Sequence, residues 1–231
     1  MLPSEPAAGT PTAAVLCAGD ALAVLIEAAQ DPAARRTAIE SALHSATGRH
    51  DIRIGVRASG RPRLEAPYPE LGISMAHRGA LVLGGFSPAH DVGVDIEIDD
   101  ASLDVDRLAR DHFNPLEAAA VAECSAAEAR DLFLRLWVAK EAALKVTGRG
   151  IFDGLSEPDL VSIVPLLTVT GTGDNLVQAM LPASSHVPAL DLGLRRMRWK
   201  GRYIYCALAC VVASVASTGR HLRTSVGDPA R

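Results

Sequence analysis

Lysine is the scarcest charged residue of this 231-residue chain, which has only Lys140, Lys145 and Lys200. Arginine supplies nearly all the other positive charge. Two of the three lysines stand beside Glu141 in one short stretch, LWVAKEAALKVTG (136–148), which singles that stretch out. The net charge is −4, so the chain has no global basic field, and we expect no nucleic-acid partner.

The chain also lacks the patterns that mark secreted, zinc-binding and membrane proteins. Its four cysteines form no CxxC pair and no zinc-like spacing, so we expect buried thiols in a reducing, cytoplasmic setting. The first 20 residues have no basic region before an apolar core, and we interpret them as a flexible leader rather than a signal peptide. The longest apolar run (203–216) is too short to span a bilayer, so we expect a buried strand and no membrane partner.

Sequence patterns predict helix and then strands in the first part of the chain. Helices are predicted over 21–30 and 31–47, where Asp31 and Pro32 give a start signal and Gly48 a stop signal. A strand over 52–57 and a turn at 58–62 follow. The segments 72–76, 80–86 and 92–99 are short apolar strands separated by tight turns, so we expect them to be neighbours in one antiparallel sheet.

The second part begins with two helix starts. Asn114, Pro115 and Glu117 form one N-terminal signature, and Ser125 with Glu128 forms another. The second signature opens a long helix that is predicted to run to Thr147. Its core stripe consists of Leu132, Leu136, Ala139, Ala143 and Val146. Strands are expected near 160–169, 175–181, 191–199 and 202–213, with a hairpin turn at Lys200-Gly201.

These elements predict an α+β fold whose two halves could be related structurally as a pseudo-symmetric pair. Each half is a small antiparallel sheet packed with a helix, and the boundary falls near Asp91. We therefore predict an N-terminal half over 1–91, with a flexible leader over about 1–19, and a C-terminal half over 92–231.

Two acidic residues share one face of the strand predicted over 92–99. Side chains two apart on a strand point the same way, so Asp95 and Glu97 project together while Val94 and Ile96 face a core. Two adjacent carboxylates repel unless a positive charge lies between them, and Mg²⁺ prefers such oxygen ligands. The alternative is an edge strand with solvated acidic side chains.

Glu141 and Lys145 share one face of the long helix because they are four residues apart. A surface ion pair would explain them, with a stability contribution of about 0.3–0.5 kcal/mol. However, a lysine ammonium in an arginine-rich chain also suits a phosphate or a developing oxyanion as a compact point charge. Glu141 would then be a metal ligand or a base, and Lys140 could reach a neighbouring anion.

The order of motifs resembles the Sfp-type (surfactin-type) 4′-phosphopantetheinyl transferases. The motif GVDIE (93–97) matches the family's acidic strand, and WVAKEAALK (137–145) matches its helix motif. Four further segments are similar to family motifs: ARRTAIESAL (34–43), SGRPRL (59–64), ISMAHRG (73–79) and FNPLE (113–117). The resemblance extends from about residue 34 to residue 151.

The resemblance implies a reaction. The phosphopantetheine arm of coenzyme A is transferred to a serine of an apo acyl or peptidyl carrier protein, and 3′,5′-ADP is released. It also implies a monomer whose two similar halves hold coenzyme A and Mg²⁺ in the cleft between them. The carrier could serve fatty acid, polyketide or nonribosomal peptide biosynthesis.

The resemblance also implies roles for individual residues. Asp95, Glu97 and Glu141 match the Mg²⁺ ligands, and Glu141 also matches the base that takes the serine proton. Lys145 matches the lysine that holds the phosphates and stabilises the leaving group. The remaining contacts to coenzyme A are assigned to Arg36, Arg61, His77 and Lys140.

Several residues depart from the family pattern or have simpler explanations. Arg61 stands where the family has lysine, Ala76 where it often has serine, and Val138 where it has a small polar residue. Glu117 is explained equally well as a helix cap, and Trp137 is better explained as a packing residue. The basic stretch RRMRWKGRY (195–203) is either a solvated hairpin or a docking surface for an acidic carrier helix.

Two other functions fit the same residues. A Mg²⁺-dependent phosphohydrolase would use the carboxylates with water as the nucleophile. A non-catalytic paralogue would bind coenzyme A or a carrier protein without transfer, but such a protein has no reason to keep four costly charges in one cleft.

Overall fold

The structure is a computed structural model that describes residues 15–28, 30–148, 155–169 and 175–212. Most of the predicted leader and the end of the predicted last strand (residue 213) lie outside the described residues. Residues 149–151, at the end of the family resemblance, lie outside them too.

The first part of the chain forms a four-stranded antiparallel sheet, a two-stranded hairpin and one helix. These elements are β1 (Leu16–Ala18), β2 (Ala21–Glu27), α1 (Pro32–Thr47), β3 (Ile54–Val56), β4 (Pro62–Leu64), β5 (Gly72–Arg78) and β6 (Leu81–Ser87). The sheet has the strand order β1-β2-β6-β5, and β3 pairs with β4. Asp31 caps α1 through a hydrogen bond to the Ala34 amide, and Gly48 ends it in a left-handed conformation, as predicted.

The second part forms another four-stranded antiparallel sheet with a set of helices. Its elements are β7 (Val92–Ile98), α2 (Val105–His112), α3 (Pro115–Ala122), α4 (Ala126–Thr147), a 3₁₀ turn (Val161–Ile163), α5 (Val164–Val169), β8 (Asn175–Leu181), β9 (Leu190–Trp199) and β10 (Arg202–Val211). The strand order is β7-β10-β9-β8. Both predicted capping boxes are present, at Asn114/Glu117 and at Ser125/Glu128.

The two sheets pack face to face, with a helix on each outer side. The apolar core between them takes residues from β1, β2 and β6 of one sheet and from β7 and β10 of the other. Helix α1 covers the outer face of the first sheet, and α4 covers the outer face of the second. The predicted α+β class is therefore confirmed, since both sheets are antiparallel and each carries a helix.

The chain passes from the first sheet to the second between β6 and β7, close to Asp91. The division into two domains at that point stays a prediction, because the shared core belongs to both sheets. None of the described helices is long and apolar enough to cross a membrane.

Two expectations for the start of the chain are wrong. Most of the segment predicted as a helix over 21–30 is the strand β2 (Ala21–Glu27), which pairs with β1 on one side and β6 on the other. Its alanines favour a helix, but its side chains are buried along most of the strand, so no alternation reveals it. The leader predicted to extend to about residue 19 ends earlier, since Leu16–Ala18 is strand β1.

Two further expectations failed for topological reasons. The three strands from 72 to 99 do not form one sheet, because β7 leaves β6 and pairs with β10. The strand predicted over 160–169 is a 3₁₀ turn followed by α5. Leu160, Ile163 and Leu167 are its buried residues, and their spacing is that of a helix.

Candidate active site

Strand β7 lies directly against helix α4, and Gly93 makes that contact possible. A Cβ atom at Gly93 would lie 1.9 Å from the carbonyl oxygen of Ala142 and 2.9 Å from the amide nitrogen of Val146. Any side chain here would push the strand off the helix. Since Asp95 and Glu97 follow on the same face as Gly93, the close approach directs both carboxylates towards α4.

Lys145 on α4 pairs with Asp95 on β7. The Lys145 ammonium donates to Asp95 Oδ1 at 2.7 Å and to the carbonyl oxygen of Val94 at 3.1 Å. Asp95 is buried, and burial raises the pKa of its carboxyl group although the Lys145 charge opposes the rise. Because both of these contacts are to β7, Lys145 is a partner of the acidic strand, 50 positions away, rather than of Glu141 on its own helix.

Glu141 is buried at the same contact, with 6% of its surface exposed. Burial raises the pKa of its carboxyl group to about 7; the negative charge of Asp95 and, less strongly, that of Glu97 add to the rise, and Lys145 opposes it. The three carboxylates therefore act on one another electrostatically. A carboxyl group with a pKa near 7 can accept a proton near neutral pH.

Glu97 lies at the outer end of this acidic group and is held by an arginine from the first sheet. The Nε atom of Arg78 on β5 lies 2.9 Å from Glu97 Oε2. Burial raises the pKa of Glu97, and the Arg78 guanidinium counters that rise. Sequence reasoning missed Arg78, because its partner is 19 positions away on a strand of the other sheet.

The residues fit a divalent cation in their chemistry, but they are not gathered into a finished binding site. Within the described ranges, no three His, Cys, Asp or Glu side chains are grouped closely enough to hold a metal ion as they stand. Side-chain cations from Lys145 and Arg78 instead neutralise Asp95 and Glu97. However, the buried Asp95 Oδ2 has no hydrogen-bond partner in the described structure, so this oxygen is available to accept a hydrogen bond or to bind a cation.

A cleft beside this site collects two of the residues assigned to coenzyme A. A cavity of about 260 Å³ is lined by residues of α1, of the β3–β4 hairpin and of β5, and Arg36 and His77 are both among them. Arg35 also lines it and donates to the carbonyl oxygen of Gly79 at 3.3 Å. The cavity thus gathers three basic side chains from the first half of the chain.

Arg61 connects this cleft to α4. It lies between two lining residues, Gly60 and Pro62, and its Nη2 atom donates to the carbonyl oxygen of Lys145 at 2.5 Å. A guanidinium at the C-terminal end of a helix can donate to one of the last carbonyl groups, and its positive charge interacts favourably with the negative end of the helix dipole. The structure therefore gives Arg61 a capping contact at α4 that the sequence did not reveal.

Lys140, which is assigned to a coenzyme A contact, has buried protein partners in the structure. Its ammonium is fully buried, 2.8 Å from the equally buried Glu117, and it also donates to the carbonyl oxygen of Pro158 at 2.6 Å. Burial lowers the pKa of Lys140 and raises that of Glu117, while each charge stabilises the other. This pair holds α3, α4 and the segment around residue 158 together, and it leaves the Lys140 ammonium with no exposed surface.

Glu117 and Trp137 have the structural roles considered for them. Glu117 accepts from the Leu160 amide at 2.7 Å in addition to capping α3. Trp137 packs against the rings of His112, Phe113 and Phe133 and is partly buried with the apolar core. Both residues support the helix that carries Glu141.

The basic stretch at 195–203 presents few free charges. Arg196 and Lys200 form ion pairs with Asp131 and Glu27, and Arg195 and Arg202 donate to backbone carbonyl groups. The docking of an acidic helix at this stretch stays a prediction. A larger cavity of about 460 Å³ lies nearby, around Asp131, and none of the assigned site residues lines it.

Part of the chain that contains this site is similar to known proteins. Residues 91–178 match the family model described as the 4′-phosphopantetheinyl transferase superfamily. This region includes β7 and α4. It therefore contains Asp95 and Glu97 of the acidic strand and Glu141 and Lys145 of the helix motif. Residues 91–178 are thus similar to that superfamily, in the region that carries the acidic strand and the helix motif.

Two curated cyanobacterial proteins are similar over part of their length. A protein of Synechocystis sp. that carries the provisional name 4′-phosphopantetheinyl transferase is 31% identical over 138 residues, which cover 51% of this chain and 56% of that protein. The 4′-phosphopantetheinyl transferase HetI of Nostoc sp. is 28% identical over 102 residues, or 43% of each chain. The chain spans about half the length of the curated relatives it matches.

Proposed function

We propose that this protein is a Sfp-type 4′-phosphopantetheinyl transferase that transfers the phosphopantetheine arm of coenzyme A to a serine of an apo carrier protein. The observation that carries the proposal is the contact between β7 and α4. It brings Asp95 and Lys145 to 2.7 Å and places the buried Glu141 in the field of the same carboxylates. The match of residues 91–178 and the names of the relatives support it.

The reaction joins the serine Oγ to the phosphorus that bears pantetheine. The bond from that phosphorus to the bridging oxygen breaks, and 3′,5′-ADP leaves. Glu141 is assigned the role of the base that accepts the serine proton, since its pKa of about 7 lets it accept a proton near neutral pH. Lys145 is assigned to the developing charge on the leaving phosphate, for which a compact ammonium is suited.

Asp95, Glu97 and Glu141 are the residues that would hold Mg²⁺. The ion supplies charge neutralisation at the diphosphate, which anionic substrates need before a nucleophile can approach. Arg36 and His77 are assigned to the adenosine bisphosphate end, because both line the cavity beside α1 and a cation there suits a phosphate. One substrate would then contact this cavity at its nucleotide end and the acidic strand at its diphosphate.

Transfer is tested by incubating the protein with coenzyme A, Mg²⁺ and a panel of apo acyl and peptidyl carrier proteins. We expect the intact mass of at least one carrier to rise by one phosphopantetheine arm. Asp95→Ala and Glu141→Ala should lower the rate by about a hundredfold or more, because each removes a proposed Mg²⁺ ligand and Glu141 is also the proposed base. Full activity in either variant would contradict the site.

The same assay separates the other two functions. A phosphohydrolase would consume coenzyme A without any acceptor and leave the carrier mass unchanged. A non-catalytic paralogue would bind coenzyme A or carrier without either change. The carrier that is modified also identifies the pathway class that the enzyme serves.

His77→Ala should act on substrate binding rather than on chemistry. We expect KM for coenzyme A to rise by about tenfold while kcat stays within about twofold, since one phosphate contact is worth about 1.4 kcal/mol. His50→Ala, at an exposed histidine of the loop after α1, is the matched control. An unchanged KM in His77→Ala would remove this residue from the coenzyme A site.

A further inference from the structure

Arg78 draws attention because it reaches an assigned metal ligand from the opposite sheet. It is the last residue of β5, and its guanidinium lies 2.9 Å from Glu97 Oε2. The Arg78 side chain is 54% exposed, whereas the Glu97 side chain is 19% exposed. An exposed cation therefore covers a carboxylate that is mostly withdrawn from water.

The neighbouring residues show that this contact is part of the same site. His77, the preceding residue, lines the nucleotide cavity. On the other side, Arg78 and Glu97 together line a small apolar cavity of about 90 Å³ with Trp137 and Phe133. Arg78 thus lies between the cleft assigned to coenzyme A and the helix that carries Glu141.

We propose that Arg78 is a placeholder cation, which competes with the divalent cation for Glu97 and is displaced when that cation binds. The inference rests on the proposed function, since it assumes that Glu97 is a metal ligand. Lys145 makes the corresponding contact with Asp95 at 2.7 Å. The two cations together keep two repelling carboxylates paired.

Competition follows from the geometry of Glu97. A carboxylate oxygen that accepts a charge-assisted hydrogen bond from a guanidinium cannot hold a divalent cation at the same point. Binding of the cation at Oε2 therefore requires the ion pair with Arg78 to break. Because Arg78 is about half exposed, its side chain can swing into solvent without leaving a buried charge.

This exchange also couples the metal to the diphosphate. Released guanidinium and ammonium groups gain an anionic partner only if phosphate oxygens are present beside them. The divalent cation should therefore bind more tightly with coenzyme A than without it, and linkage requires the reverse effect to be equal.

The test is a titration of the full-length protein with Mn²⁺, followed by electron paramagnetic resonance of the free ion, in wild type and in Arg78→Ala. An exposed ion pair is worth up to about 1 kcal/mol, so Arg78→Ala should bind Mn²⁺ about two- to fivefold more tightly than wild type when coenzyme A is absent. Arg78→Lys, which keeps the charge, should stay close to wild type.

Lys200→Ala is the matched control. Lys200 forms an exposed ion pair with Glu27, and this pair also connects the two parts of the chain but contains no assigned metal ligand. Its removal lowers the net charge equally and should leave Mn²⁺ affinity within experimental error. If Lys200→Ala increased the Mn²⁺ affinity as much as Arg78→Ala does, the effect would be explained by net charge alone, and the proposal would be overturned.

The remaining outcomes are equally decisive. Unchanged or weaker Mn²⁺ binding in Arg78→Ala overturns the placeholder role, provided that Asp95→Ala abolishes binding and so shows that the site is real. If Mn²⁺ binding by wild type is absent, or is insensitive to Asp95→Ala, the metal site of the proposed function fails instead. The two failures are therefore distinguishable.

Discussion

At the scale of single residues, this site concentrates negative charge away from water. Asp95 and Glu141 are buried, and the pKa values of both carboxyl groups are raised mainly by that burial. Burying ionised groups without full compensation costs free energy that the folded chain must recover elsewhere. Such a cost is expected at a functional site and gives a measurable effect on stability.

The cost of Glu141 predicts a pH-dependent stability in the presence of a chelator. The folded state holds the Glu141 proton more tightly than the unfolded state, because the folded pKa is about 7 and the ordinary value is 4.5. Stability should therefore fall as pH rises from about 4.5 through 7. Glu141→Gln carries no such charge and should exceed the wild-type free energy of unfolding by about 2–3 kcal/mol at pH 8.

Urea denaturation at pH 8 and at pH 4.5 measures this difference. At pH 4.5 the two proteins should be nearly equal, since Glu141 is then protonated in the folded state. Glu128→Gln, at an exposed helix cap, is a control whose pKa is lowered rather than raised, so it should not stabilise the protein at pH 8. Equal stability of wild type and Glu141→Gln at pH 8 would show that the buried charge of Glu141 does not destabilise the folded protein.

At the scale of elements, the site depends on how closely one strand approaches one helix. Gly93 allows the backbone of β7 to touch that of α4, and a side chain at this position would meet backbone atoms. The neighbouring Lys140–Glu117 pair holds α4 against α3 from the other side. The strand and the helix thus fix the relative positions of Asp95, Glu141 and Lys145.

Gly93→Ala should damage both stability and transfer. The new Cβ would lie 1.9 Å from the Ala142 carbonyl oxygen, so β7 must shift outward. We expect a loss of about 3 kcal/mol in the free energy of unfolding, at the upper end for overpacking, and a lower transfer rate in the fraction that stays folded. Urea denaturation and the carrier mass assay measure the two effects.

Gly55→Ala is the matched control for this change. A Cβ at Gly55 would meet only the end of the Glu65 side chain, which can move aside. Its stability should therefore stay within about 1 kcal/mol of wild type. A similar loss in both variants would mean that the contact between β7 and α4 is not special.

At the scale of the whole molecule, the two sheets are joined by a common apolar core. Residues of β2 and β6 meet residues of β7 and β10 there, so neither sheet can expose its inner face without losing that core. The hairpin at Arg61 and the ion pair at Arg78 add polar contacts between the same two parts. The molecule should therefore unfold as one unit.

Cooperative unfolding is tested by comparing two probes. Both tryptophans lie in the second half, Trp137 among its helices and Trp199 against the shared core, so their fluorescence reports mainly on that half and its contact with the first. Far-ultraviolet circular dichroism reports on the whole chain. We expect the two urea transitions to coincide, because a shared core makes unfolding all-or-none. Separate midpoints would show that the halves unfold independently.

The sequence alone was sufficient for the local features of this protein. Helix caps such as Asp31 and Asn114, and the turn at Lys200-Gly201, depend on residues close together in the chain, so their signals are readable there. The acidic face of β7 follows from the twofold period of a strand. The order and spacing of the sequence motifs predicted the chemistry of the site.

Only the tertiary structure decided which charges meet. Lys145 pairs with Asp95 rather than with Glu141, Lys140 is buried against Glu117, and Arg78 reaches Glu97 from another sheet. Each partner is 19 to 50 positions away. Such pairings depend on sheet order and on helix packing, which a one-dimensional pattern does not contain. For the same reason, β2 was predicted as a helix, since burial on both faces comes from neighbours that are distant in the chain.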